Sequence, residues 1–257
     1  MKHNLKPHIW KIIIPQHIIL IAGIISIVLG YVSVWNLLLI PLGYLVFGYL
    51  GFTIFMHRYW CHRSFKTYPA LAYFGAYIAL LCGNGTPIEV EAIHMRLHHA
   101  NSDTELDPHT PLKGKLWSWL LWHNMDIVWP KLNRQLLRDP ILKFMHRHYF
   151  KIWWASLLLL TLLSWQLAVF FMIGGAVYHF HIEGFVNSFA HDLQYGDTTG
   201  TTNDNSVNLK SKMMMILSLG NTLHHNHHLA PWNYTYAINP GEFDLAKYIV
   251  PLISIKD

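Results

Sequence analysis

Long apolar segments separate the segments that carry the charged residues. Residues 18–35 and 35–56 contain no Lys, Arg, Asp or Glu, and each has about the 20 residues that an α-helix needs to cross the hydrocarbon core of a bilayer. They predict a helical hairpin that turns near residues 34–36. Basic residues flank both outer ends of this hairpin and are absent from its turn, so the positive-inside rule predicts that both ends face the cytoplasm.

A second uncharged segment, residues 152–182, is too long for one membrane crossing and slightly short for two. With its flanks from about 148 to 187, it accommodates two helices that turn near residues 164–166. We therefore predict an all-α integral membrane protein with four transmembrane helices in two hairpins, forming a single domain over residues 1–257. The predicted spans are about 12–34, 36–56, 148–166 and 168–188, and the predicted cytoplasmic helical cap comprises residues 57–147 and 189–257.

Residues 69–88 form a shorter apolar segment whose placement the pattern leaves open. Its uninterrupted apolar part, residues 71–82, has 12 residues, which is more typical of an interfacial or re-entrant segment. Gly83, Gly85 and Pro87 interrupt the segment early. A membrane crossing here would place the histidines before and after it on opposite sides of the membrane.

Composition agrees with a membrane protein and excludes several other classes. Hydrophobic residues make up 53% of the chain and charged residues 13%, against about 25% charged in ordinary soluble domains. The net charge is +5, but residues 12–57 and 152–209 contain no Lys or Arg. Such long gaps argue against a nucleic-acid-binding surface. The chain has 2 Cys, so a disulfide scaffold is excluded and a metal site would use imidazole and oxygen ligands.

Histidines are unusually abundant, and several are clustered with regular spacing. The chain has 19 His, and three segments, HRYWCH, HMRLHH and HHNHH, contain nine of them: His57, His62, His94, His98, His99, His224, His225, His227 and His228. On a helix, side chains four or five residues apart can converge on one point beside the helix. Histidines on a cytoplasmic surface without a shared site are the alternative, but three clusters with such spacing favour a metal site.

The number of imidazoles in these clusters exceeds what one ion can bind, so the clusters predict two ions. Imidazole suits Fe, Zn, Cu and Ni, and spacing alone does not name the metal. Other histidines are interpreted as interfacial side chains or as members of basic stretches: His3, His8, His17, His123, His146, His148, His179 and His181.

Four segments resemble the membrane-bound fatty acid desaturases, specifically the Δ9-type branch that includes stearoyl-CoA desaturases and bacterial acyl-lipid desaturases. The segments are HRYWCHRSFKTYP (57–69), PIEVEAIHMRLHHANSDTELDPH (87–109), FVNSFAHD (185–192) and GNTLHHNHH (220–228). The resemblance covers residues 43–252. Its most specific feature is Asn187 followed by His191, because members of the family carry Asn-x-x-x-His at the end of their last membrane helix.

The resemblance implies a di-iron site held by nine histidines: His57, His62, His94, His98, His99, His191, His224, His227 and His228. Asn187 corresponds to the residue that reaches one metal through a water, and His225 is not assigned. The same resemblance implies four membrane helices with a cytoplasmic cap, and it makes residues 69–88 non-spanning. One departure is Gly220-Asn221, where many members have Gly-Glu, and this puts one contact behind the metal ligands in question.

As a desaturase, the chain would use O2 and two electrons to introduce a cis double bond, at Δ9, into a saturated fatty acyl chain carried on CoA, acyl carrier protein (ACP) or lipid. The electrons would come from an external ferredoxin-like or cytochrome donor, and the location would be a bacterial inner membrane with both termini and the metal site cytoplasmic. A hydroxylase or acetylenase on the same scaffold is an alternative. A non-enzymatic, His-rich membrane protein that holds Zn or Cu is another.

Further residues are candidates for supporting roles. Acids beside the histidine clusters can accept hydrogen bonds from the ring N–H groups of the ligands, although each can equally be a surface acid: Glu89, Glu91, Asp103, Asp107 and Asp192. Aromatic residues that could line a substrate tunnel, or belong to the interfacial belt, are Trp60, Tyr73, Trp117, Trp119 and Trp122. Basic residues that could hold carrier phosphates, or attract anionic lipid, are Lys131, Arg134, Arg138, Lys143 and Arg147.

Overall fold

The computed structural model describes residues 2–4, 6–124, 126–128 and 132–255, and within them the chain is mostly helical. The first hairpin consists of α1 (Ile9–Val28) and α2 (Val34–Cys61). Gly30, with φ +78°, turns the chain after α1, and the Ser33 side chain accepts a hydrogen bond from the Trp35 backbone N–H at the start of α2. The turn therefore precedes residues 34–36, which form the first residues of α2.

The second hairpin consists of α7 (Pro140–Leu163) and α8 (Leu167–Phe189). The Asp139 carboxylate caps α7 by accepting from the backbone N–H groups of Ile141 and Leu142 in the first turn, and Pro140 occupies the first helical position, where its missing N–H costs nothing. Among the described residues, α1, α2 and α8 are long and apolar enough to cross a membrane. The remaining predicted span lies within α7, whose first half carries Lys143, Arg147 and Lys151.

Helix α3 (Pro69–Leu80) corresponds to the segment whose placement the sequence left open. It has 12 residues, and at about 1.5 Å per residue it is too short to cross about 30 Å of hydrocarbon. Gly83, with φ +88°, follows its end. Helix α3 packs along α2, where Gly75 faces the Phe55 ring so closely that a Cβ atom would lie 2.0 Å from its Cγ.

Shorter elements cover one end of the hairpins. The helices are α4 (Pro87–Ile93), α5 (Lys115–Trp119), α6 (Arg134–Arg138), α9 (Lys212–Leu217), α10 (His224–Leu229) and α11 (Ala246–Ile253). Two antiparallel strand pairs complete the fold: β1 (Lys2–Asn4) with β2 (Asp126–Val128), and β3 (Gly196–Asp197) with β4 (Asn208–Leu209). Helix α4 begins with a capping box between Thr86 and Glu89, which fixes where the following histidine segment starts.

A buried ion pair attaches the C-terminal part of the chain to α2. Arg58 and Asp244 are fully buried, and the guanidinium Nη1 lies 3.1 Å from Asp244 Oδ2. The Tyr49 hydroxyl donates to the same carboxylate at 2.7 Å. Because α2 also provides His57, this attachment places the segment after α10 directly beside the histidines.

Candidate metal centre

One group of five histidines brings together side chains from α2, the α4 segment and α10. The Nε2 atom of His94 lies 2.7 Å from Nε2 of His57 and 2.8 Å from Nε2 of His62. The Nε2 atom of His99 lies 3.1 Å from Nε2 of His94 and 3.0 Å from Nε2 of His227. These five imidazoles form the first histidine cluster.

Four more histidines form the second histidine cluster. The Nε2 atoms of His191 and His224 lie 2.8 Å apart, and those of His98 and His228 lie 3.2 Å apart. The ligand atoms of these four side chains all lie within 4.8 Å of one another. The two clusters touch, because the His99 ring stacks on the His228 ring with 4.5 Å between centroids.

Local backbone geometry explains how one short segment serves both clusters. Helix α4 continues into a π turn over His94–His98, in which the backbone N–H of His99 donates to the carbonyl of His94. A π turn is wider than an α turn and is frequent at functional sites. It directs His94 and His99 to the first cluster and His98 to the second.

The donor set fits a pair of metal ions. Two nitrogens bound at right angles to one ion at about 2.1 Å would lie about 3.0 Å apart, close to the Nε2 separations of 2.7, 2.8, 3.0 and 3.1 Å in the first cluster. Hydrogen bonds alone cannot satisfy several Nε2 atoms that converge on one point, since each pair needs one donor and one acceptor. A cation held by each cluster would instead accept the lone pairs of the nitrogens that converge on it.

Burial keeps these imidazoles in the neutral form that binds metal. Burial, together with the neighbouring histidines, lowers the pKa of His94, His98 and His224 well below 6.5. Burial also lowers the pKa of His99, to about 4, against the opposing effect of the Asp204 carboxylate. At neutral pH these rings therefore carry no charge and present a lone pair to an ion.

Carboxylates hold three histidines of the second cluster from behind. The ring N–H at Nδ1 of His98 donates to Asp107 at 3.0 Å, that of His191 to Asp103 at 3.2 Å, and that of His228 to Asp204 at 2.6 Å. Such bonds fix the tautomer, leave Nε2 free for the metal, and orient the ring.

The phenol of Tyr236 orients one histidine of the first cluster in a similar way. The Tyr236 hydroxyl lies 2.9 Å from Nδ1 of His57. The Arg58 guanidinium lies over the Tyr236 ring, 3.8 Å from its centroid. Tyr236 is buried, and the burial raises the pKa of its hydroxyl, so the phenol stays protonated and neutral.

The other three acids proposed for this supporting role have different partners. Glu89 belongs to the capping box of α4, Glu91 pairs with Arg96 at 3.1 Å, and Asp192 pairs with Lys115 at 2.6 Å. These contacts join the three acids to the elements around them.

A cavity opens directly onto both clusters. Members of the first cluster (His57, His94 and His227) and of the second (His98 and His224) line its wall, and Asn187 lines it beside them. Apolar side chains form much of the remaining wall: Phe52, Val90, Ile93, Trp119, Trp122, Phe180 and Val186. Walls of this kind suit an apolar ligand lying beside both histidine clusters.

The residues predicted to contact substrate divide between the cavity and other places. Trp119 and Trp122 line the cavity. The ring N–H groups of Trp60 and Trp117 donate to the backbone carbonyls of Ala72 and Pro108, and the Tyr73 hydroxyl donates to Asp139; these three residues are not among those that line it. Arg134 and Arg138 are exposed on α6. Lys131 lies outside the described residues.

Several of the histidines interpreted as interfacial are instead buried. His8, His123 and His179 are 6%, 8% and 0% exposed, so that interpretation was wrong for them, and His123 lines the cavity. His225 lies outside both clusters, and its ring N–H donates to the Ser206 carbonyl at 2.9 Å. The side chain of His3 lies outside the described part of the chain.

Two residues that support the clusters carried no sequence signal that we used. Asp204 lies in a polar loop, and Tyr236 lies beyond the last histidine segment among other aromatic residues. Only the folded chain brings them to His228 and His57. His109 follows Asp107 and a proline in the sequence, and it also lines the cavity. No role was predicted for it.

Comparison with known proteins gives consistent matches over most of the chain. The sequence model of the family described as Fatty acid desaturase matches residues 22–240. The chain is 34% identical over 219 residues to an sn-1 stearoyl-lipid 9-desaturase from Anabaena variabilis, covering 82% of this chain and 78% of that protein. It is 33% identical over 233 residues to Delta-9 acyl-lipid desaturase 1 from Arabidopsis thaliana, covering 86% and 73%. It is 30% identical over 247 residues to an acyl-CoA 5-desaturase from Anemone leveillei, covering 92% and 75%.

Proposed function

This chain belongs to the fatty acid desaturase family, and from that premise we propose the reaction that its site performs. As a member, it is a membrane oxidoreductase of lipid metabolism. We infer that it is an O2-dependent di-iron desaturase that introduces a cis double bond into a saturated fatty acyl chain. Position 9 is the proposed site of the double bond, because two of the relatives are named for that position and one for position 5.

The observation that carries this proposal is the cavity shared by the two histidine clusters. An acyl chain in it would run beside both clusters, with Phe52, Phe180 and Val186 against its methylene groups. Apolar walls exclude water and fix the chain, so the distance from the carrier to the clusters sets which carbons react. A storage site for Zn or Cu has no need for such a cavity, and family membership favours the enzyme.

We propose the nine clustered histidines as ligands of two irons. Bound irons would supply the O2-dependent oxidising chemistry that removal of hydrogen from unactivated methylene groups requires. The protein's own contribution is a rigid shell of neutral imidazoles, oriented by Asp103, Asp107, Asp204 and Tyr236. Asn187, on α8 four residues before His191, is proposed to reach one metal through a water.

The proposed topology has four membrane spans within α1, α2, α7 and α8, with both termini and the histidine clusters on the cytoplasmic side. Exposed apolar side chains support a span within α7: Leu158, Leu159, Leu162 and Leu163 are 60%, 64%, 75% and 82% exposed. Such a row of exposed leucines is expected where lipid surrounds a helix. The proposed cap comprises residues 57–147 and 189–257, and the proposed location is a bacterial inner membrane.

The reaction requires two partners besides O2. An external ferredoxin-like protein or cytochrome is the proposed electron donor. The acyl chain is proposed to be carried on lipid, CoA or ACP, since the relatives named above act on acyl-lipid or acyl-CoA substrates. Arg134 and Arg138, exposed on α6, are available for the phosphates of such a carrier.

Lipid analysis of a host that lacks its own desaturase tests the proposal. Cells that express the chain should accumulate cis-monounsaturated acyl chains, and mass spectrometry of derivatised lipids should place the double bond at position 9. Hydroxy acids or alkynes in place of monoenes would reassign the reaction to a hydroxylase or acetylenase. Unchanged lipids, with purified protein that holds tightly bound zinc and no iron, would remove the desaturase proposal.

A further inference from the structure

Glu183 is the one Asp, Glu, Lys or Arg residue within helix α8 (Leu167–Phe189). An ionisable side chain within a membrane-spanning segment is costly, so such residues face the protein interior and have a specific partner. The Glu183 side chain is 29% exposed, and it lines the cavity described above. Because an ionisable side chain at this position is energetically costly, we expect Glu183 to have a function.

Asn221 is a hydrogen-bond partner of Glu183, whose Oε1 atom also lies 3.9 Å from Nδ1 of His179. The Asn221 side-chain amide group donates one N–H to Glu183 Oε1 at 3.2 Å and the other to the Thr53 hydroxyl at 2.9 Å. Asn221 is 6% and Thr53 2% exposed. One amide thus joins α8, α2 and the segment that leads into α10.

The backbone before Asn221 is strained, and the Asn221 side chain helps to hold this turn in place. Leu219 has φ +54° and Gly220 has φ +106°. A non-glycine residue in the left-handed region is unfavourable and persists where surrounding contacts enforce it. The Leu219 carbonyl accepts from Leu245 N–H at 3.1 Å, and the Asn221 side chain fixes the turn on its other side.

Both partners lie close in sequence to residues of the second histidine cluster. Glu183 and Asn187 are four residues apart on α8, where residues at this spacing share one face of the helix, and His191 lies just beyond the end of α8. Asn221 precedes His224 by three residues, at the start of α10. A bond between Glu183 and Asn221 therefore connects the two elements whose histidines, His191 and His224, meet at 2.8 Å.

We propose that Glu183 and Asn221 are positioning residues, a clamp that sets the separation between α8 and α10 and so the geometry of the second histidine cluster. The inference rests on the proposed function, because it assigns that cluster to a metal. Where many family members carry Gly-Glu, this chain carries Gly220-Asn221. Because the clamp pairs an acid at one position with an amide at the other, exchanging the two residue types keeps the same kind of hydrogen bond.

Four variants test the clamp: Glu183→Leu, Asn221→Leu, the double leucine variant and the exchange variant Glu183→Asn with Asn221→Glu. Each is purified in detergent, and iron per chain and thermal unfolding are measured beside product formation in cells. Either single leucine variant should bind iron at the second cluster about 10- to 100-fold more weakly, the usual cost of losing a residue that supports a ligand. The double variant should lose no more than Asn221→Leu, since that single variant already removes the bond to Glu183 together with the bond to Thr53.

The exchange variant should recover iron content and product relative to both single leucine variants, which a general loss of packing does not predict. Glu183→Gln keeps the shape and an acceptor oxygen, so it should fold and retain most of the iron. Glu105→Gln, at an exposed loop position, is the matched control. Wild-type iron content in Glu183→Leu, or an exchange variant no better than the single variants, would overturn the clamp.

The outcomes also separate the clamp from the proposed function. If wild-type protein forms product and binds iron while the leucine variants match it, only the clamp is wrong. If wild-type protein itself neither binds iron nor forms product, the desaturase proposal is wrong, whatever the variants do.

Discussion

His98 lies where the two histidine clusters approach each other, buried and held by Asp107 at 3.0 Å. Replacing it with Ala removes one imidazole from the second cluster while leaving the membrane helices intact. We expect His98→Ala to reach the membrane at wild-type amounts, to bind about one iron fewer per chain and to form no unsaturated product. His148→Ala, on α7 outside both clusters, is the control. Full activity of His98→Ala would contradict the ligand assignment.

Asp204 accepts the shortest of the hydrogen bonds behind the ligands, 2.6 Å from Nδ1 of His228. Asp204→Asn can keep the hydrogen bonds that the surrounding loop donates to Oδ1, but it removes the negative charge next to the His228 imidazole. Iron affinity and product formation should fall about 10- to 100-fold, as measured by iron titration of the metal-free protein. Asp197→Asn is a matched control, because Asp197 is 70% exposed and its ion pair with Lys210 contributes little to stability. Equal behaviour of the two variants would refute the role of Asp204.

His123 gives a prediction that depends on pH. Burial, assisted by nearby His8, lowers the pKa of His123 to about 3, against about 6.5 in an unfolded chain. Between these values the unfolded chain takes up a proton that the folded chain does not, so stability falls as pH decreases from about 6.5 toward 3. His123→Phe removes this contribution. Thermal unfolding of the metal-free protein in detergent should therefore show a smaller loss of Tm on acidification in the variant; an identical loss would contradict the assignment.

At the scale of elements, hydrophobic patterning predicted which segments are helical but not where each helix starts. The hairpin turn was predicted at residues 34–36, whereas α2 already begins at Val34 after the turn at Gly30. Helix α7 begins at Pro140, well before the predicted span from 148, because Asp139 and Pro140 supply a cap and a first turn. Caps and glycine turns are local chemistry that a count of apolar residues does not include.

The histidine segments were predictable because each is a short helical motif with its spacing in the sequence. Asp103 and Asp107 were predictable as supports because they lie beside a histidine segment, although the fold brings Asp103 to the distant His191 and only Asp107 to a histidine of its own segment. Asp204 and Glu183 are single residues without a pattern, and their partners are distant along the chain. The folded arrangement of α8 and α10 is needed to find them.

Helices α2 and α8 approach so closely that one contact admits no side chain. A Cβ atom at Gly43 would lie 1.8 Å from the Phe171 carbonyl oxygen, so Gly43→Ala must push α8 away from α2. We expect a cost of about 1–3 kcal/mol, seen as a lower Tm and weaker iron retention, because His191 directly follows the end of α8. Leu42→Ala, at an adjacent position that is 53% exposed, is the control. Unchanged Tm in Gly43→Ala would show that the helices can separate freely.

At the scale of the whole molecule, the two clusters connect parts of the chain that are far apart in sequence. The histidines come from the end of α2, from the segment after α4, from the end of α8 and from α10. The apolar contacts of the hairpins hold the bundle, and the histidine clusters lie where these four parts of the chain meet. Bound metal should therefore stabilise the junction of these four parts, in addition to the chemistry proposed for it.

Removal of metal should accordingly destabilise the whole protein and not only inactivate it. A ligand that binds only the folded state at about 100 times its Kd adds about 2.7 kcal/mol, so stripping iron with a chelator should lower Tm by several degrees, and adding Fe2+ back should restore it. His98→Ala should show a smaller shift on chelation, because it has less metal to lose. Glu105→Gln should show the full wild-type shift. Equal unfolding temperatures for the iron-loaded and stripped wild-type protein would mean that the histidine clusters form without metal and that the ions contribute chemistry alone.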